Sequence, residues 1–214
     1  MKSKLLPPIT IVDYGMGNIG SLINMFRKIG VKIDISSKPD EISRANKILL
    51  PGVGAFDSAM NKIDELGLRK VLYERAMIAK IPFLGICLGM QLLVESSEEG
   101  NKKGLGFING SAKRFPVNEK LKVPHMGWNT IKITQNNKLT QFLPEDPRFY
   151  FVHSYYVKVS HRSNSIMSCE YGINFDAGIS NGNIFGAQFH PEKSHKYGLS
   201  MLKNFVEMPC YELV

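Results

Sequence analysis

Pro82-Phe83-Leu84-Gly85-Ile86-Cys87-Leu88-Gly89-Met90-Gln91 decides how the rest of the chain is read. The apolar run 82–86 has the length and composition of a buried strand, and residues 88–95 read as a helix. Between them lies Gly-x-Cys-x-Gly, the cysteine form of a nucleophile elbow. A side chain on so tight a turn stands clear of the backbone, and Gly85 and Gly89 remove the Cβ atoms that would collide there. The following helix points its N-terminal N–H groups and positive dipole end at the sulfur. That favours the thiolate, the attacking species. The Leu88 N–H points where an oxyanion would form. An isolated cysteine is usually a core residue; the strand–turn–helix setting sets this one apart.

Working outward, the N-terminal half alternates strand and helix. Strands are predicted at 9–13, 31–35, 47–50 and 82–86, and helices at 21–29, 55–65, 68–79 and 88–95. This βαβα rhythm implies a parallel sheet with helices on both faces. The second half is strand-rich, with β-branched and aromatic runs at 112–115, 130–133, 149–152, 155–159, 166–170 and 184–188. A closing helix is expected at 194–206. No internal repeat, linker or low-complexity segment divides the chain, so one α/β domain over residues 1–214 is expected. Its sheet is read as open and mostly parallel, flanked by helices, with extra antiparallel strands.

Composition excludes several classes. The 214 residues, 43% hydrophobic and 21% charged, fit a globular chain with a full core. The three cysteines, Cys87, Cys169 and Cys210, have no metal-ligand spacing and fit a reducing cytosol rather than a disulfide framework. Neither a signal peptide nor a bilayer-spanning segment is expected: Pro7 and Pro8 interrupt the first apolar stretch, and the run 81–94 is too short. A cytoplasmic, membrane-free protein is expected. The net charge of +8 suits docking of an acidic partner or attraction of an anionic substrate. The scattered lysines, without interleaved aromatics, argue against nucleic acid.

A nucleophilic cysteine needs a base. Among five histidines, His190 stands out in Phe189-His190-Pro191-Glu192, directly after a strand. Pro191 biases His190 toward extended geometry, and residues two apart in an extended chain share a side. His190 and Glu192 are therefore expected to face the carboxyl edge of the sheet together, with Glu192 holding the imidazole tautomer as the third member of a triad. His153 follows an apolar strand and is placed to line the site; His161 and His195 read as exposed. Pro51-Gly52-Val53-Gly54, after strand 47–50, can supply a second backbone N–H to an oxyanion hole. Gln91, four residues beyond Cys87, shares its helical face and can bind a polar substrate end.

One competing class needs weighing. Gly15-Met16-Gly17-Asn18-Ile19-Gly20 is a literal G-x-G-x-x-G between a strand and a helix, with Asp34 near the end of the next strand. That is the pattern of a dinucleotide-binding enzyme. Against it, Asp13 puts a carboxylate near the would-be pyrophosphate, and the cysteine elbow and His-Pro-Glu strand would be unexplained.

With Gly-Ile-Cys87-Leu-Gly-Met-Gln91 and Phe-His190-Pro-Glu192-Lys-Ser in view, the chain resembles the class I (triad) glutamine amidotransferases, more narrowly the glutaminase subunits of imidazole glycerol phosphate synthases. The resemblance runs almost end to end, through Asp13-Tyr-Gly-Met-Gly-Asn18, Leu50-Pro-Gly-Val-Gly-Ala-Phe56, Lys122-Val-Pro-His-Met-Gly-Trp-Asn129, Phe151-Val-His-Ser-Tyr155 and Gly182-Asn-Ile-Phe-Gly186. It implies a flavodoxin-like fold and a Cys87, His190, Glu192 triad. It further implies oxyanion-hole N–H groups from Val53 and Leu88, with rearrangement of their loop an open alternative to a preformed hole. Gly54, Gln91, Ser154 and Tyr155 would hold glutamine's amino-acid end. Asn18, His125, Met126 and Trp128 would face the partner, a (β/α)₈-barrel cyclase that receives the ammonia for histidine biosynthesis. No metal or cofactor is implied. A lone tryptophan is more often core than interface, but the polar, glycine-containing surroundings of Trp128 suit an exposed anchor. Glu192-Lys-Ser-His-Lys-Tyr-Gly198 and the leader, residues 1–8, lean toward a paralogous bacterial glutaminase that feeds amidination of surface sugars, so that pathway stays open.

Overall fold

The structure, a computed structural model, describes residues 7–116 and 121–210; residues 1–6 of the leader lie outside them. Twelve strands share one sheet among the described residues. The first four are β1 (Ile9–Val12), β2 (Ile33–Ser36), β3 (Ile48–Leu50) and β4 (Phe83–Ile86). Then come β5 (Ser96–Ser97), β6 (Gly110–Arg114), β7 (His125–Ile133) and β8 (Arg148–His153). The last four are β9 (Tyr155–Val159), β10 (Ser165–Glu170), β11 (Asn174–Asn181) and β12 (Ile184–Ala187). The helices are α1 (Ile19–Ile29), α2 (Pro39–Ile42), α3 (Phe56–Glu65), α4 (Leu68–Tyr73), α5 (Leu88–Leu92) and α6 (His195–Glu207).

The order β2-β1-β3-β4-β12 is parallel throughout. Antiparallel β11, β10, β7 and β8 extend it, and β9 ties β11 to β6. This bears out the expected α/β class. Parallel strands covered on both faces read as continuous apolar runs, because each face needs its own core. Ile9, Ile11, Leu49, Leu84 and Ile86 join one buried cluster with Phe26 of α1 and Phe205 of α6. Val12, Ile48, Leu50 and Phe83 join the other with Phe56, Ile63 and Leu72. Consecutive strand residues thus serve opposite cores, as the pleat requires. Because β3, β4 and β12 run parallel, the segments after Leu50, Ile86 and Ala187 emerge at one carboxyl edge, where ligands bind in such sheets.

Four expectations change. The helix expected over 88–95 ends at Leu92. The stretch 68–79 is not one α-helix: α4 ends at Tyr73 and a π-helical turn, Glu74–Ile78, follows. β7 begins at His125 rather than at residue 130. β11 was not expected, although it joins the parallel half of the sheet to the antiparallel half.

Candidate active site

Cys87 lies between β4 and α5 with φ 55° and ψ −110°. A non-glycine residue held at positive φ costs about 1–3 kcal/mol and persists only where its surroundings impose it. Here the Cys87 N–H donates to the Ala187 carbonyl at 2.8 Å, while the Met90 and Gln91 N–H groups donate to the Cys87 carbonyl at 3.0 and 3.2 Å. The turn is clamped from both sides. Leu88 opens α5, so its N–H has no intrahelical acceptor.

The glycine loop at 51–54 presses directly on this turn. A Cβ on Gly89 would stand 1.9 Å from the Leu50 carbonyl oxygen, and one on Gly52 would meet the Tyr14 hydroxyl at 2.6 Å and the Gly89 nitrogen at 2.8 Å. Only glycine allows this approach, which puts Val53 and Leu88 on one cavity. Behind the loop, the buried Tyr14 hydroxyl donates to the Pro51 carbonyl at 2.8 Å. Burial, and then the nearby Cys87 charge, push that phenol well above its ordinary value, so it stays a donor.

His190 is placed by its main chain. Its N–H donates to the Tyr150 carbonyl at 2.9 Å. The Ser194 hydroxyl donates to the His190 carbonyl at 2.6 Å and accepts from the Tyr150 N–H at 3.0 Å. The ring Nδ1 lies 2.7 Å from Glu192 Oε1, with both side chains 3% exposed. The pair forms as expected, but by a different geometry. His190 is extended, whereas Glu192 sits in a 3₁₀ turn, Pro191–Lys193, and folds back onto the ring. Among the described residues, His190 Nε2 and Glu192 Oε2 are buried without a partner of full hydrogen-bond geometry. Burial opposes charge on the imidazole, but the Cys87 sulfur and the Glu192 carboxylate outweigh it and raise the proton affinity above its ordinary value.

Cys87 and His190 line one cavity of 380 Å³ with Val53, Gly54, Leu88, Gln91, Ser154 and Tyr155, every one a residue singled out from the sequence. Sequence reasoning missed Glu99, Pro124, Val152 and Lys193, which line it too. Glu99 accepts the Phe56 N–H, at the start of α3, through Oε2 at 2.8 Å. Its only sequence signal is a polar run, Glu95-Ser-Ser-Glu-Glu-Gly100, that reads as an ordinary turn.

The residues expected at a partner face separate. Met126 and Trp128 are 61% and 41% exposed, with Trp128 stacked on His195. Asn18 is exposed and caps α1 through the Ser21 N–H. His125 is only 2% exposed, which corrects its placement on that face. The sequence places a strand only at 130–133; in the longer β7 the pleat sends His125 to the opposite side from Met126 and Trp128. His125 Nδ1 lies 3.1 Å from His153 Nε2, and His153 Nδ1 lies 2.8 Å from the Tyr155 carbonyl.

The dinucleotide reading loses its footing in the loop itself. The Asp13 carboxylate accepts the Gly15 N–H at 3.1 Å, occupying an amide that a pyrophosphate would need, and Asp34 pairs with Lys32 at 3.3 Å. Among the described residues no helix is long and apolar enough to cross a membrane, and no group of three His, Cys, Asp or Glu is placed to hold a metal ion.

The sequence pattern of the family described as glutamine amidotransferase class-I matches residues 10–208. Imidazole glycerol phosphate synthase subunit HisH 2 of Methanococcus maripaludis is 52% identical over 199 residues, covering 93% of this chain and 98% of that protein. The protein of the same name in Pseudomonas aeruginosa is 46% identical, covering 94% and 99%. Subunit HisH of Leptospira interrogans is 45% identical, covering 94% and 100%. Among solved structures, PurLQS from Thermotoga maritima superposes with a TM-score of 0.73 at 19% identity, over 94% of this chain and 98% of that one, a likeness of fold alone.

Proposed function

The chain belongs to the class I glutamine amidotransferases, and from that premise we propose that it is the glutaminase subunit of an imidazole glycerol phosphate synthase. It hydrolyses L-glutamine to glutamate and ammonia, and the ammonia passes to a (β/α)₈-barrel cyclase for histidine biosynthesis. The observation that carries the reading is the strained Cys87 turn sharing one cavity with His190, whose ring is held by the buried Glu192 carboxylate.

The steps follow from the atoms present. Glu192 holds Nδ1–H of His190, which leaves Nε2 to take the Cys87 proton. The sulfur attacks the side-chain carbonyl carbon of glutamine, and the carbonyl electrons move onto oxygen. The N–H groups of Val53 and Leu88 receive that oxyanion. Collapse breaks the C–N bond, and His190 returns its proton to the departing nitrogen as ammonia. A water, deprotonated by His190, then attacks the γ-glutamyl thioester, and glutamate leaves as the Cys87 thiol is restored. Gly54, Gln91, Ser154 and Tyr155 hold the amino-acid end of the substrate. The Glu99 carboxylate and the Lys193 ammonium on the same cavity suit a zwitterion. Met126, Trp128 and Asn18 face the cyclase; the apolar exposure of Trp128 and Met126 on one side of β7 supports that docking.

The test is labelling by a glutamine-analogue electrophile with mass spectrometry, joined to assay of Cys87→Ala in the presence of the cyclase. Label on Cys87 and loss of hydrolysis with intact partner binding are expected. Hydrolysis retained in Cys87→Ala removes the mechanism.

A further inference from the structure

A second side chain reaches the sulfur. Gln188 is fully buried, and its Nε2 lies 3.8 Å from Cys87 Sγ. It follows β12 directly, and its N–H donates to the Ala177 carbonyl at 2.9 Å, so the backbone that carries the amide is fixed by the sheet.

The sense of the amide is fixed too. Gln91 Nε2 lies 3.0 Å from the Tyr155 carbonyl and 3.2 Å from Gln188 Oε1. A main-chain carbonyl only accepts, so the NH₂ end of Gln91 must face it. The second hydrogen of that NH₂ meets an oxygen on Gln188, which leaves the NH₂ end of Gln188 toward the sulfur. The same carbonyl takes the His153 Nδ1–H at 2.8 Å. His153 Nε2 is then a lone pair that accepts from His125 Nδ1 at 3.1 Å, and Asn129 Nδ2 closes the line on His125 Nε2 at 3.4 Å. Burial keeps both imidazoles neutral at pH 7, as this line requires. Reversing Gln91 would set its oxygen against the Tyr155 carbonyl, and reversing Gln188 would set donor against donor at Gln91 and oxygen against the sulfur.

We propose that Gln188 is a catalytic residue: its amide, locked as a donor by Gln91 and the Tyr155 carbonyl, hydrogen-bonds the Cys87 sulfur and stabilises it whenever it is anionic. The inference rests on the reading of Cys87 as nucleophile. A donor to an anion is about twice as strong as one to a neutral group, so Gln188 favours the thiolate formed when His190 takes the proton and the thiolate expelled when water opens the thioester. It acts on sulfur as the two backbone N–H groups act on oxygen.

The full chain tests this through the pH profile of Cys87 alkylation, followed by mass spectrometry. Gln188→Met keeps the shape and removes the donor; Gln188→Glu puts an oxygen at the sulfur. In Gln188→Met the profile moves to higher pH by about one unit, so labelling below the midpoint falls about tenfold. Gln188→Glu moves it further in the same direction. A profile superimposable on that of the unaltered chain in either folded variant overturns the proposal. If neither variant folds, the ¹⁵N side-chain resonance of Gln188 in the unaltered chain decides. It must move over the pH range of Cys87 labelling and stay still in Cys87→Ser; no movement overturns the inference. Absence of label on Cys87 in the unaltered chain is a different result, because it removes the nucleophile itself.

Discussion

The buried pair His125–His153 gives the protein a sharp acid sensitivity between pH 7 and pH 5. Their rings are 2% and 6% exposed, and burial lowers the two values from 6.5 to about 4 and about 3. In the unfolded chain both titrate normally, so below pH 6.5 the unfolded state binds more protons and stability falls with pH. The contribution is fully present above 6.5 and is lost as pH falls toward the folded values. At pH 5 an unfolded histidine is largely protonated while the folded ones remain neutral. With 1.36 kcal/mol per unit, His153 alone costs about 2 kcal/mol of stability over that interval. His125, whose folded value also lies below 5, adds nearly as much, for a total of about 4 kcal/mol. This size depends little on how far below 5 the folded values lie. His190, shifted upward, works in the opposite sense, but it is common to the two proteins compared here. Urea unfolding followed by far-ultraviolet circular dichroism at pH 7 and 5 measures the loss for the unaltered chain and for His125→Gln/His153→Gln. The unaltered chain should lose about 4 kcal/mol more than the double variant. Losses equal within about 0.5 kcal/mol would mean that the rings are not held neutral, and the reasoning fails.

Glu192→Gln keeps the shape but lets the imidazole take the wrong tautomer. Glutamine hydrolysis with the cyclase present should drop by about 10³–10⁴, less than on loss of Cys87, and an unchanged rate would exclude the carboxylate from the triad. Gly89→Ala forces a methyl against the Leu50 carbonyl; thermal unfolding should show a loss of about 1–3 kcal/mol or no folded protein, and an unshifted Tm contradicts the close packing. Tyr14→Phe removes the donor to the Pro51 carbonyl. Stability should fall by about 1 kcal/mol and kcat should fall with KM nearly unchanged; unaltered kcat would separate that contact from the oxyanion loop. Trp128→Ala should weaken cyclase binding by about 2 kcal/mol in titration calorimetry and leave Cys87 labelling intact, and full affinity would move the docking face elsewhere.

Much of the site was legible because its chemistry is local. The Cys87 turn, the Gly52 loop and the His190-Pro191-Glu192 run each carry backbone constraints within four or five residues. Those that stayed hidden act across the fold. Glu99 enters the cavity through a turn with no periodic signal, and Gln188 looks like one more polar residue ahead of His190. β11 was missed because Asn174-Phe-Asp-Ala-Gly-Ile-Ser-Asn181 lacks clean alternation. It is buried on both faces, and its Asp176 is tolerated inside because Arg162, Ser165 and the Val159 N–H surround the carboxylate at 2.8, 2.6 and 3.1 Å.

The residue order alone determined the parallel αβ half, the nucleophile turn and the residues that could serve as base and oxyanion donors, since these follow from hydrophobic period and glycine placement. Only the tertiary structure decided which face His125 takes, how Glu192 folds back to its ring, and which way each amide points around the sulfur. Those choices depend on partners far apart in the chain, Gln91 with Tyr155 and Cys87 with Gln188, and a hydrogen bond has a direction only once both of its ends are in place.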